Sequence, residues 1–549
     1  MGRMRGTSVF GGASVVGAIV FGAACTTTDT VTGASGTGGA APQTALTLPQ
    51  FIGAAAWVDT VMQSAIPLVV DVTGPIPDAV EVVLDGVATP AVAEAGRYVA
   101  TLVVGSLSEG THDIIARART AGVDVSQVKG TLVAGAGSRQ VTSFSHDGAA
   151  LAGNVVVGRS VDALELTWRA GLEPKRGFVR RRVDGAFRPL DTADTLISAP
   201  EHDALDGETA FGPDGVAVAY RVTRPSDQRW EVKLRAVGHD GKEQVPVTDL
   251  TAGGASYSVV AAGADPRGYS AAWLHLRSAV DGMSPPVELR YARYDLETKQ
   301  LLGPLTLDTD EPPPMGSMEG TQRLEPLGEI DIACNDALCL VSYSRQVYNA
   351  YVQLNFAKLF VAAIDLTTGV ATTAVAVSAI DWDTQLFGHH LVALPDGSFA
   401  MTYTATDTAA AVDPKDPCDT TIQRDLLRFV RFDAKGTQLA KPSVILDHEG
   451  SRQFPRLAPH PSGFAMLWED QRSYCGSQTG HLRMAASFLD AAGKLGDYHE
   501  LPDSIGIPPE DPMVTVLGTN AELIWSDNRH GGGIFDLKLE LYADTLWSK

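Results

Sequence analysis

The segment AMLWEDQRSYCG, residues 465–476, gathers several side chains that could do chemistry. Within eight positions it holds Trp468, Glu469, Asp470, Arg472, Tyr474 and Cys475. Two carboxylates beside a guanidinium, a phenol and a thiol would suit acid–base or nucleophilic catalysis. The alternative is that the segment is one copy of a repeated structural unit, which requires similar segments elsewhere in the chain.

The same order of features recurs along the chain. A turn such as Pro461-Ser462-Gly463 or Pro213-Asp214-Gly215 precedes a short apolar strand, and the strand ends in an aromatic residue. We interpret this strand as the inner strand of a repeated unit. The aromatic residues, spaced 52 to 70 positions apart, are Trp168, Tyr220, Trp273, Tyr343, Tyr403, Trp468 and Trp525.

A second mark follows each aromatic residue by 16–30 positions. It is a short apolar strand that ends in aspartate, often before a turn, which is typical of hairpins. These aspartates are Asp184, Asp240, Asp295, Asp365, Asp433, Asp490 and Asp544. Two independent marks that recur in the same order indicate a repeat array.

Repeats of this length and content are typical of β-propeller blades. Four short strands cannot bury both faces of their sheet alone, and radial stacking lets each blade cover its neighbour. We therefore predict that residues 139–549 form a propeller of about seven four-stranded blades, with six blades plus a connecting module as the alternative. The last repeat runs out at the chain end, so residues 140–145 are expected to supply its outer strand and close the ring.

The opening segment is accordingly interpreted as a repeat element whose aromatic residue packs between blades. WEDQR has a counterpart in WSDNR, where Trp525 precedes Asp527 and Arg529. Residues two apart on a strand share a face. Asp470 with Arg472, and Asp527 with Arg529, are therefore expected to form ion pairs that fix loops, with catalysis as the alternative.

These repeats resemble the W-x-D-x-R propeller repeats of bacterial envelope proteins and, more distantly, sialidase-like propellers. The sialidase motif Ser-x-Asp-x-Gly-x-Thr-Trp is absent from the sequence. No cluster of three arginines with a Tyr–Glu pair can be assigned either, which argues against sialidase activity.

Residues 47–135 alternate apolar runs with turns, which predicts a small β-sandwich. Val80, Val82 and Leu84 mark a half-buried strand, and Asp85-Gly86 is a hairpin signal. The pattern LDG…GRYVATL…LSEGTHDIIARA resembles bacterial immunoglobulin-like domains, which mostly serve as spacers or stalks. The resemblance implies a structural role for His112, with a metal-binding or catalytic role as the alternative.

The N-terminus has the pattern of an exported lipoprotein. Residues 1–24 combine a basic start with an apolar run and predict a signal peptide. The run stops at Cys25, which resembles the lipidated cysteine of bacterial lipoproteins; an ordinary secretory signal is the alternative. Residues 25–46 then form the lipidated cysteine and a flexible Thr/Gly/Ala tether. We expect a lipid-anchored location in the cell envelope, at the outer membrane or cell surface.

The other cysteines suggest two disulfides in an exported protein. Cys334 and Cys339 flank a hairpin turn, and Cys418 and Cys475 each follow the aromatic residue of adjacent blades. We predict the pairs Cys334–Cys339 and Cys418–Cys475. A metal site or a reactive thiol is the alternative, although no histidine spacing typical of zinc accompanies the cysteines.

Other candidate sites are weaker in the sequence. His389-His390 begins an inner strand, where a metal in the central channel is conceivable, but adjacent strand residues point to opposite faces. Acidic loops at residues 308–314 and 507–512 could hold calcium, without a supporting spacing. No cofactor and no catalytic motif is assigned.

The function classes are narrowed by charge and by loop content. The net charge of −22 argues against nucleic acid as a partner. The membrane is expected to be contacted only through the N-terminal lipid. We predict a non-enzymatic envelope protein that binds an envelope protein or glycan or assists assembly. The alternatives are a glycan-active hydrolase or lyase with its site in the central funnel, and a purely structural spacer.

Overall fold

The computed structural model describes residues 43–548 with internal gaps, and its regular structure there is entirely β. None of the described residues belongs to a helix able to cross a membrane. Side chains of some strand residues beside the gaps are also outside the described part. The gaps are residues 145–154, 161, 172–175, 227–228, 252–254, 277–286, 310–321, 325–328, 350–353, 378–385, 408–423, 447–450, 473–480, 502–509 and 528–538.

The N-terminal part is a sandwich of two sheets. Its strands are β1 (Ala45–Thr47), β2 (Ala55–Asp59), β3 (Ala65–Thr73), β4 (Ala79–Leu84), β5 (Val87–Pro90), β6 (Val92–Glu94), β7 (Arg97–Val103), β8 (Gly110–Thr120) and β9 (Val123–Gly135). The sheet orders are β1-β3-β7-β6 and β2-β9-β8-β4-β5, with β2 parallel to β9. Side chains such as Leu68 and Val82 fill the core between the sheets. The first strand begins at Ala45, two positions before the predicted boundary.

The remaining described strands form seven blades of four-stranded antiparallel sheet. Blade 4 carries one additional short strand, β23 (Gln322–Leu324), beside its second strand. From first to fourth strand, the blades are blade 1, β11 (Val156–Arg159), β12 (Leu164–Ala170), β13 (Gly177–Val183), β14 (Thr195–Leu196); blade 2, β15 (Asp206–Gly212), β16 (Gly215–Thr223), β17 (Trp230–Gly238), β18 (Glu243–Asp249); blade 3, β19 (Ala255–Asp265), β20 (Gly268–Leu276), β21 (Val287–Asp295), β22 (Gln300–Thr309); blade 4, β24 (Ile330–Cys334), β25 (Leu338–Asn349), β26 (Leu354–Asp365), β27 (Val375–Ala376); blade 5, β28 (Leu386–Ala393), β29 (Phe399–Asp407), β30 (Arg424–Phe432), β31 (Ser443–Leu446); blade 6, β32 (Ser451–His460), β33 (Gly463–Arg472), β34 (His481–Asp490), β35 (Leu495–Glu500); and blade 7, β36 (Glu510–Leu517), β37 (Asn520–Asp527), β38 (Leu539–Leu546), β10 (Arg139–Phe144).

The ring is closed by strands from both ends of the propeller. The first strands of neighbouring blades contact one another around the ring, including β36 with β11. β10 pairs antiparallel with β38 and supplies the fourth strand of blade 7. The predicted closure by residues 140–145 is therefore confirmed, and the described strands fit the seven-blade prediction.

Each repeat aromatic is buried between its own blade and the preceding one. All of them are at most 1% exposed. Trp273 of blade 3, for example, packs in a cluster with Leu234 and Val232 of blade 2. The interpretation of their strand as the inner strand was wrong, because these aromatics lie on the second strand of each blade and the first strand lines the ring. The apolar strand that ends in the aromatic residue is therefore the second strand of each blade.

The repeat aspartates close the turns between third and fourth strands. In blade 6, Oδ1 of Asp490 accepts hydrogen bonds from the backbone N–H groups of Ala492 and Lys494, both at 2.9 Å. Asp433 does the same for Lys435 and Thr437. A side-chain oxygen that satisfies the turn's own N–H groups explains the preference for aspartate at this position.

These turns define two faces of the propeller. The turn face carries the connections from first to second strand and from third to fourth strand. The opposite loop face carries the connections from second to third strand and from each blade to the next.

The sandwich is fixed to the turn face of blades 7 and 1. The buried Gln50 donates hydrogen bonds from Nε2 to Thr519 Oγ1 (3.0 Å) and Asn520 Oδ1 (2.9 Å). Trp547, which follows β38, lies in the sandwich core and donates its indole N–H to the carbonyl of Trp57 (3.0 Å). The resemblance implied a spacer or stalk, whereas the sandwich shares its core with the last residues of the propeller.

Two further predictions concern single sites. Cys334 and Cys339 form a disulfide across the β24–β25 turn, as predicted. His112 is buried and its Nδ1 lies 2.5 Å from Asp85 Oδ2, while Nε2 lies 2.8 Å from the Ser108 carbonyl. Burial acts to lower the pKa of His112, but these two acceptors raise it overall. The two ring nitrogens thus connect the β4–β5 turn to the segment that precedes β8, which is a structural role.

Candidate functional site: two polar seams between blades

A seam is defined here as the space between the facing sides of two neighbouring blades. Most seams are filled by apolar side chains around the repeat aromatic. The seam between blades 1 and 2 and the seam between blades 4 and 5 each combine a buried arginine, a histidine and a buried glutamate. Their side chains come from the first three strands of each blade and can be compared position by position.

The inner strands are tied together by side chains that accept backbone hydrogen bonds. Glu208 Oε2 accepts from the N–H of Ala262 in the next blade (2.9 Å), and Asp331 Oδ2 accepts from Leu391 in the same way (2.7 Å). A first strand is the edge of its sheet and has unpaired N–H groups. These carboxylates satisfy such groups and hold adjacent blades in register.

His390 plays the same part between blades 5 and 6. Its Nδ1 accepts the N–H of Leu457 at 3.0 Å, so this nitrogen carries no proton. Burial, together with the charge of nearby Arg456, lowers the pKa of His390 well below its usual range. The imidazole is therefore neutral and structural.

The seam between blades 1 and 2 pairs its charged side chains with one another, although the Nε atoms of Arg180 and Arg169 make no hydrogen bond to a described residue. Glu165 is fully buried and accepts hydrogen bonds from Arg180 Nη1 (3.3 Å) and His239 Nδ1 (2.7 Å). Arg180 also donates to the carbonyls of Gly238 (3.1 Å) and His239 (3.4 Å). The hydroxyls of Thr167 and Thr209 pair at 2.5 Å. Each charge in this seam has an opposite charge or a carbonyl beside it.

The seam between blades 4 and 5 has a comparable set of polar residues. None of them is more than 9% exposed. They are Glu329, Asp331, Ser342 and Ser344 on blade 4, and His389, Tyr403 and Arg428 on blade 5. Here they are called the 4–5 pocket.

The strand pairing places all of these side chains in one seam. Residues two apart on a strand share a face, and Glu329 and Asp331 share theirs with Ala333, which packs in the core between blades 4 and 5. Ser342 and Ser344 share a face with Leu340 of the same core. The blade 4 side of the pocket is therefore polar near the loop face and apolar toward the turn face.

Blade 5 presents a matching row. His389 and Arg428 both pair with Tyr403, on the inner and third strands respectively, so the three side chains lie side by side across the sheet. Arg428 shares its face with Val430 and Phe432, which pack against blade 4. The row therefore faces Glu329 and the two serines.

Several donors in the 4–5 pocket have no partner among the described residues. These are Nε2 of His389, Oγ of Ser342 and Nε of Arg428. Nε of Arg180 is unpaired as well, but its terminal nitrogens are bonded. For the Arg428 guanidinium the described residues provide no hydrogen bond or ion pair. Unpaired buried donors of this kind are uncommon in native proteins and call for a specific explanation.

One carboxylate lies beside these donors. Glu329 Oε2 accepts the backbone N–H of His389 at 2.8 Å and lies 3.8 Å from its Nδ1. That carboxylate is thus occupied in holding the two inner strands together. With a guanidinium, an imidazole and a hydroxyl open to further bonds, the pocket can bind an oxygen-rich group that carries negative charge.

The described residues contain no group of three or more His, Cys, Asp or Glu arranged to hold a metal. His389 and His390 lie on opposite sides of β28, as expected for adjacent strand residues. His389 faces Glu329, whereas His390 bonds Leu457. The channel metal considered for this pair thus has no such group around it in the described part.

The predicted repeat ion pairs are only partly within the described residues. Asp470 is 2% exposed and accepts a hydrogen bond from the Tyr498 hydroxyl at 2.6 Å, which links the second and fourth strands of blade 6. The side chains of Arg472 and Asp527, and all of Arg529, lie outside the described part. Their ion pairs stay predictions.

Ion pairs of the expected kind occur in other repeats. Arg221 pairs with Asp206 at 3.1 Å within blade 2. Arg345 of blade 4 pairs with Asp308 on the outer strand of blade 3, where the Tyr343 hydroxyl also donates to Asp308. Desolvation, followed by the charge of Asp308, raises the pKa of Tyr343 far above its usual range, so this hydroxyl stays protonated.

Other predicted sites fall outside the described residues. Cys25 precedes them, and Cys418 and Cys475 lie in the gaps 408–423 and 473–480. The pair Cys418–Cys475 therefore stays a prediction. Most of the two acidic loops considered for calcium is likewise not described.

Glu329, Asp331, Ser342, Ser344 and Arg428 were not identified from the sequence. A signal for four of them exists in EIDIA and VSYSR, where polar and apolar residues alternate on strands that a propeller buries on both sides. Such alternation predicts one polar face inside the ring. Arg428, in a strand of a different blade, has no comparable mark.

No family model matches this chain, and no curated protein matches it either. Among solved structures, an auxiliary nutrient binding protein from Bacteroides thetaiotaomicron is 10% identical with a TM-score of 0.32, over 92% of this chain and 98% of that one. The NanB sialidase of Streptococcus pneumoniae is 8% identical with a TM-score of 0.37, over 88% and 95%.

A GH93 α-L-arabinofuranosidase of Fusarium graminearum is 11% identical with a TM-score of 0.35, over 60% of this chain and 89% of that one. Likeness at this level transfers no activity or ligand. The assignment of the propeller rests on the strand pairing, and the function must be argued from the side chains.

Proposed function

We propose that this protein is a lipid-anchored binding protein of the bacterial cell envelope, whose propeller binds a glycan or protein partner without cleaving it. The observation that carries the proposal is the 4–5 pocket. It buries His389 and Ser342 with donor atoms that no described residue satisfies. Protein interiors rarely leave such atoms unpaired, and a bound partner would supply the missing acceptors.

The attachment of the sandwich indicates which face of the propeller would be turned toward the membrane. The segment that holds Gln50 and Ile52 docks on the turn face of blades 7 and 1. The proposed anchor at Cys25 and the tether at residues 26–46 precede that segment. An immunoglobulin-like sandwich so placed would hold the turn face toward the membrane and leave the loop face, where the 4–5 pocket lies, directed to the envelope.

The carboxylates described in the pocket favour binding over hydrolysis. Glycosidases generally use two carboxyl groups on either side of the scissile bond. Glu329 and Asp331 instead accept backbone N–H groups of the neighbouring strand at 2.8 and 2.7 Å. These hydrogen bonds hold the inner strands of neighbouring blades together, so both carboxylates have a structural task.

The anchor is tested by labelling cells with a radioactive fatty acid and comparing the full chain with Cys25→Ser. We expect label and membrane fractionation for the natural chain and neither for the variant. Equal release of both chains into the soluble fraction would refute the anchor.

The binding function is tested by co-sedimentation of the full chain with isolated peptidoglycan and envelope polysaccharide, with new reducing ends measured in the same tubes. We expect saturable sedimentation and no reducing ends. Release of reducing ends would establish the glycan-active alternative. Absence of sedimentation with any envelope fraction, including its proteins, would contradict a binding role.

A further inference from the structure

We infer that the 4–5 pocket binds an acidic sugar, with the sugar carboxylate on Arg428 and its hydroxyls on His389 and Ser342. The inference deepens the proposed binding function and rests on it for the location of the partner. It concerns the class of ligand, and it is tested with simple sugars that need no envelope material.

The first step of the argument is charge. Arg428 is 6% exposed, and no carboxylate of the described residues reaches its guanidinium. Buried charges in proteins are paired or bind ligands, because removing a charge from water without compensation is costly. The contrast with Arg293 is direct: it is 2% exposed and bonds Asp265 at 2.7 and 2.9 Å and Asp295 at 2.8 Å.

The second step is the identity of the missing partner. A planar guanidinium binds carboxylate oxygens in pairs, which gives geometric specificity. The two carboxylates that blade 4 places in this seam, Glu329 and Asp331, each accept a backbone N–H of β28. Since no carboxylate among the described residues pairs with Arg428, we assign its complement to an anion that binds from solution.

The third step is the hydroxyl complement. His389 Nε2 and Ser342 Oγ lie on opposite walls of the same seam, and neither has a partner among the described residues. A neutral hydroxyl group of a sugar can both donate and accept, so it satisfies an imidazole nitrogen in either tautomer and a serine hydroxyl. A bare inorganic anion would leave these two groups unsatisfied.

The fourth step is access. Glu329 directly precedes β24, which starts on the loop-face side, and Arg428 lies four positions from the start of β30, which begins on the same side. The pocket is thus at the loop-face end of the seam. The proposed sugar is therefore the terminal residue of a glycan that approaches this side of the propeller.

The experiment is titration calorimetry of the full chain with glucuronate, glucose and acetate at equal ionic strength. We expect glucuronate to bind, and glucose and acetate each to bind at least tenfold more weakly. Arg428→Met should weaken glucuronate roughly ten- to a hundredfold, the usual loss for a charge-assisted hydrogen bond. Arg428→Lys should retain part of the affinity, since it keeps the charge without the planar pair.

The matched control is Arg159→Gln. Arg159 is an exposed arginine on the inner strand of blade 1, so its removal should leave glucuronate binding unchanged. A melting curve accompanies each variant. Arg428→Met should unfold no earlier than the natural chain without ligand, because it breaks no bond to a described residue.

Three results would overturn the inference. Glucuronate that binds no more tightly than acetate would exclude the hydroxyl contacts. Equal binding by Arg428→Met and the natural chain would exclude the arginine. If none of the three probes binds, the pocket holds only water and the inference is wrong. Sedimentation with envelope material would then test the proposed binding function separately.

Discussion

The seam between blades 1 and 2 and the seam between blades 4 and 5 both bury charged residues, but they satisfy them differently. In the first, Arg180, Glu165 and His239 bond one another and nearby carbonyls. In the second, the Glu329 carboxylate accepts the backbone N–H of His389, while the His389 Nε2 and the Arg428 guanidinium bond no described residue. A buried polar network that is complete stabilises a fold, whereas an incomplete one is costly unless something fills it.

This difference separates a stabilising role from a ligand-binding role, which residue type alone cannot distinguish. Arginine, histidine, glutamate and hydroxyl groups occur in both seams. The hydrogen bonds distinguish the two seams. A network whose charges pair with one another stabilises the fold, whereas charges without partners point to a ligand. The two roles can therefore be distinguished by the change in the free energy of unfolding when a single side chain is removed from each seam.

The largest expected difference is between Arg180→Met and Arg428→Met. Arg180→Met leaves the fully buried Glu165 without its guanidinium, and breaking a buried pair in this way costs about 3–5 kcal/mol. Arg428→Met breaks no such pair and should change the free energy of unfolding by less than about 1 kcal/mol, or increase it. Urea unfolding of both variants measures the difference. Equal destabilisation would remove the distinction between the seams.

Glu522 tests a third seam, between blades 7 and 1, through its pH dependence. Burial raises the pKa of this carboxyl from its ordinary 4.5 to about 8, although the hydrogen bond from Thr545 acts against the shift. Between these pH values the folded chain holds a proton that the unfolded chain has lost, so stability falls as pH rises from about 4.5 to 8.

Glu522→Gln should abolish that fall because it cannot ionise. We expect the variant to match the natural chain near pH 5 and to exceed it by a few kcal/mol near pH 9. Thermal unfolding across this range provides the measurement. Parallel pH profiles for the two chains would mean that Glu522 is already ionised in the folded state.

A matched pair of hydroxyl deletions gives a smaller contrast. Thr167→Val leaves the Thr209 hydroxyl without its partner at 2.5 Å, which should cost about 1–2 kcal/mol. Ser342→Ala removes a hydroxyl that bonds no described residue and should be neutral or slightly stabilising. Denaturant midpoints of both variants decide the point, and a larger loss for Ser342→Ala would contradict the open seam.

The smallest expected effect is the titration of His239. Burial acts to lower its pKa, but the hydrogen bond to Glu165 raises it overall. A raised folded pKa contributes stability below the unfolded value near 6.5, and this contribution is lost as pH rises through the folded value. The gain should be about 1 kcal/mol or less. His239→Gln should flatten this part of the profile of stability against pH, as measured by thermal unfolding.

Much of the architecture could be predicted because it repeats. Aromatics such as Trp468 and turn aspartates such as Asp490 recur in a fixed order, and each has a local physical reason to be where it is. The closing strand at residues 140–145 was predicted because the last repeat needs a fourth strand, and β10 occupies that place beside β38. The disulfide between Cys334 and Cys339 follows from a short hairpin.

The docking of the sandwich could not be predicted in this way. Gln50 meets Thr519 and Asn520 across nearly the whole length of the chain, and Trp547 enters the core of the first domain. Neither residue has a neighbour in sequence that indicates its partner. Contacts of this kind depend on where the closed ring places its two ends.

The pocket was missed for a related reason. The sequence suggests a channel metal for the pair His389-His390, because it does not show which residues of blade 4 lie opposite His389. Ser342 and Arg428 reach His389 only through the pairing of strands in two blades. Whether a buried arginine has a partner is a property of three-dimensional bonding, and no spacing in the sequence encodes it.

The most direct test is a crystal structure of the full chain soaked with glucuronate and compared with an unsoaked crystal. The account predicts sugar density between blades 4 and 5, with the carboxylate bonded to Arg428 and hydroxyls within 3.2 Å of His389 and Ser342, the usual limit of a hydrogen bond. The seam between blades 1 and 2 should be unchanged. Density for the sugar elsewhere, with only ordered water beside Arg428, would contradict it.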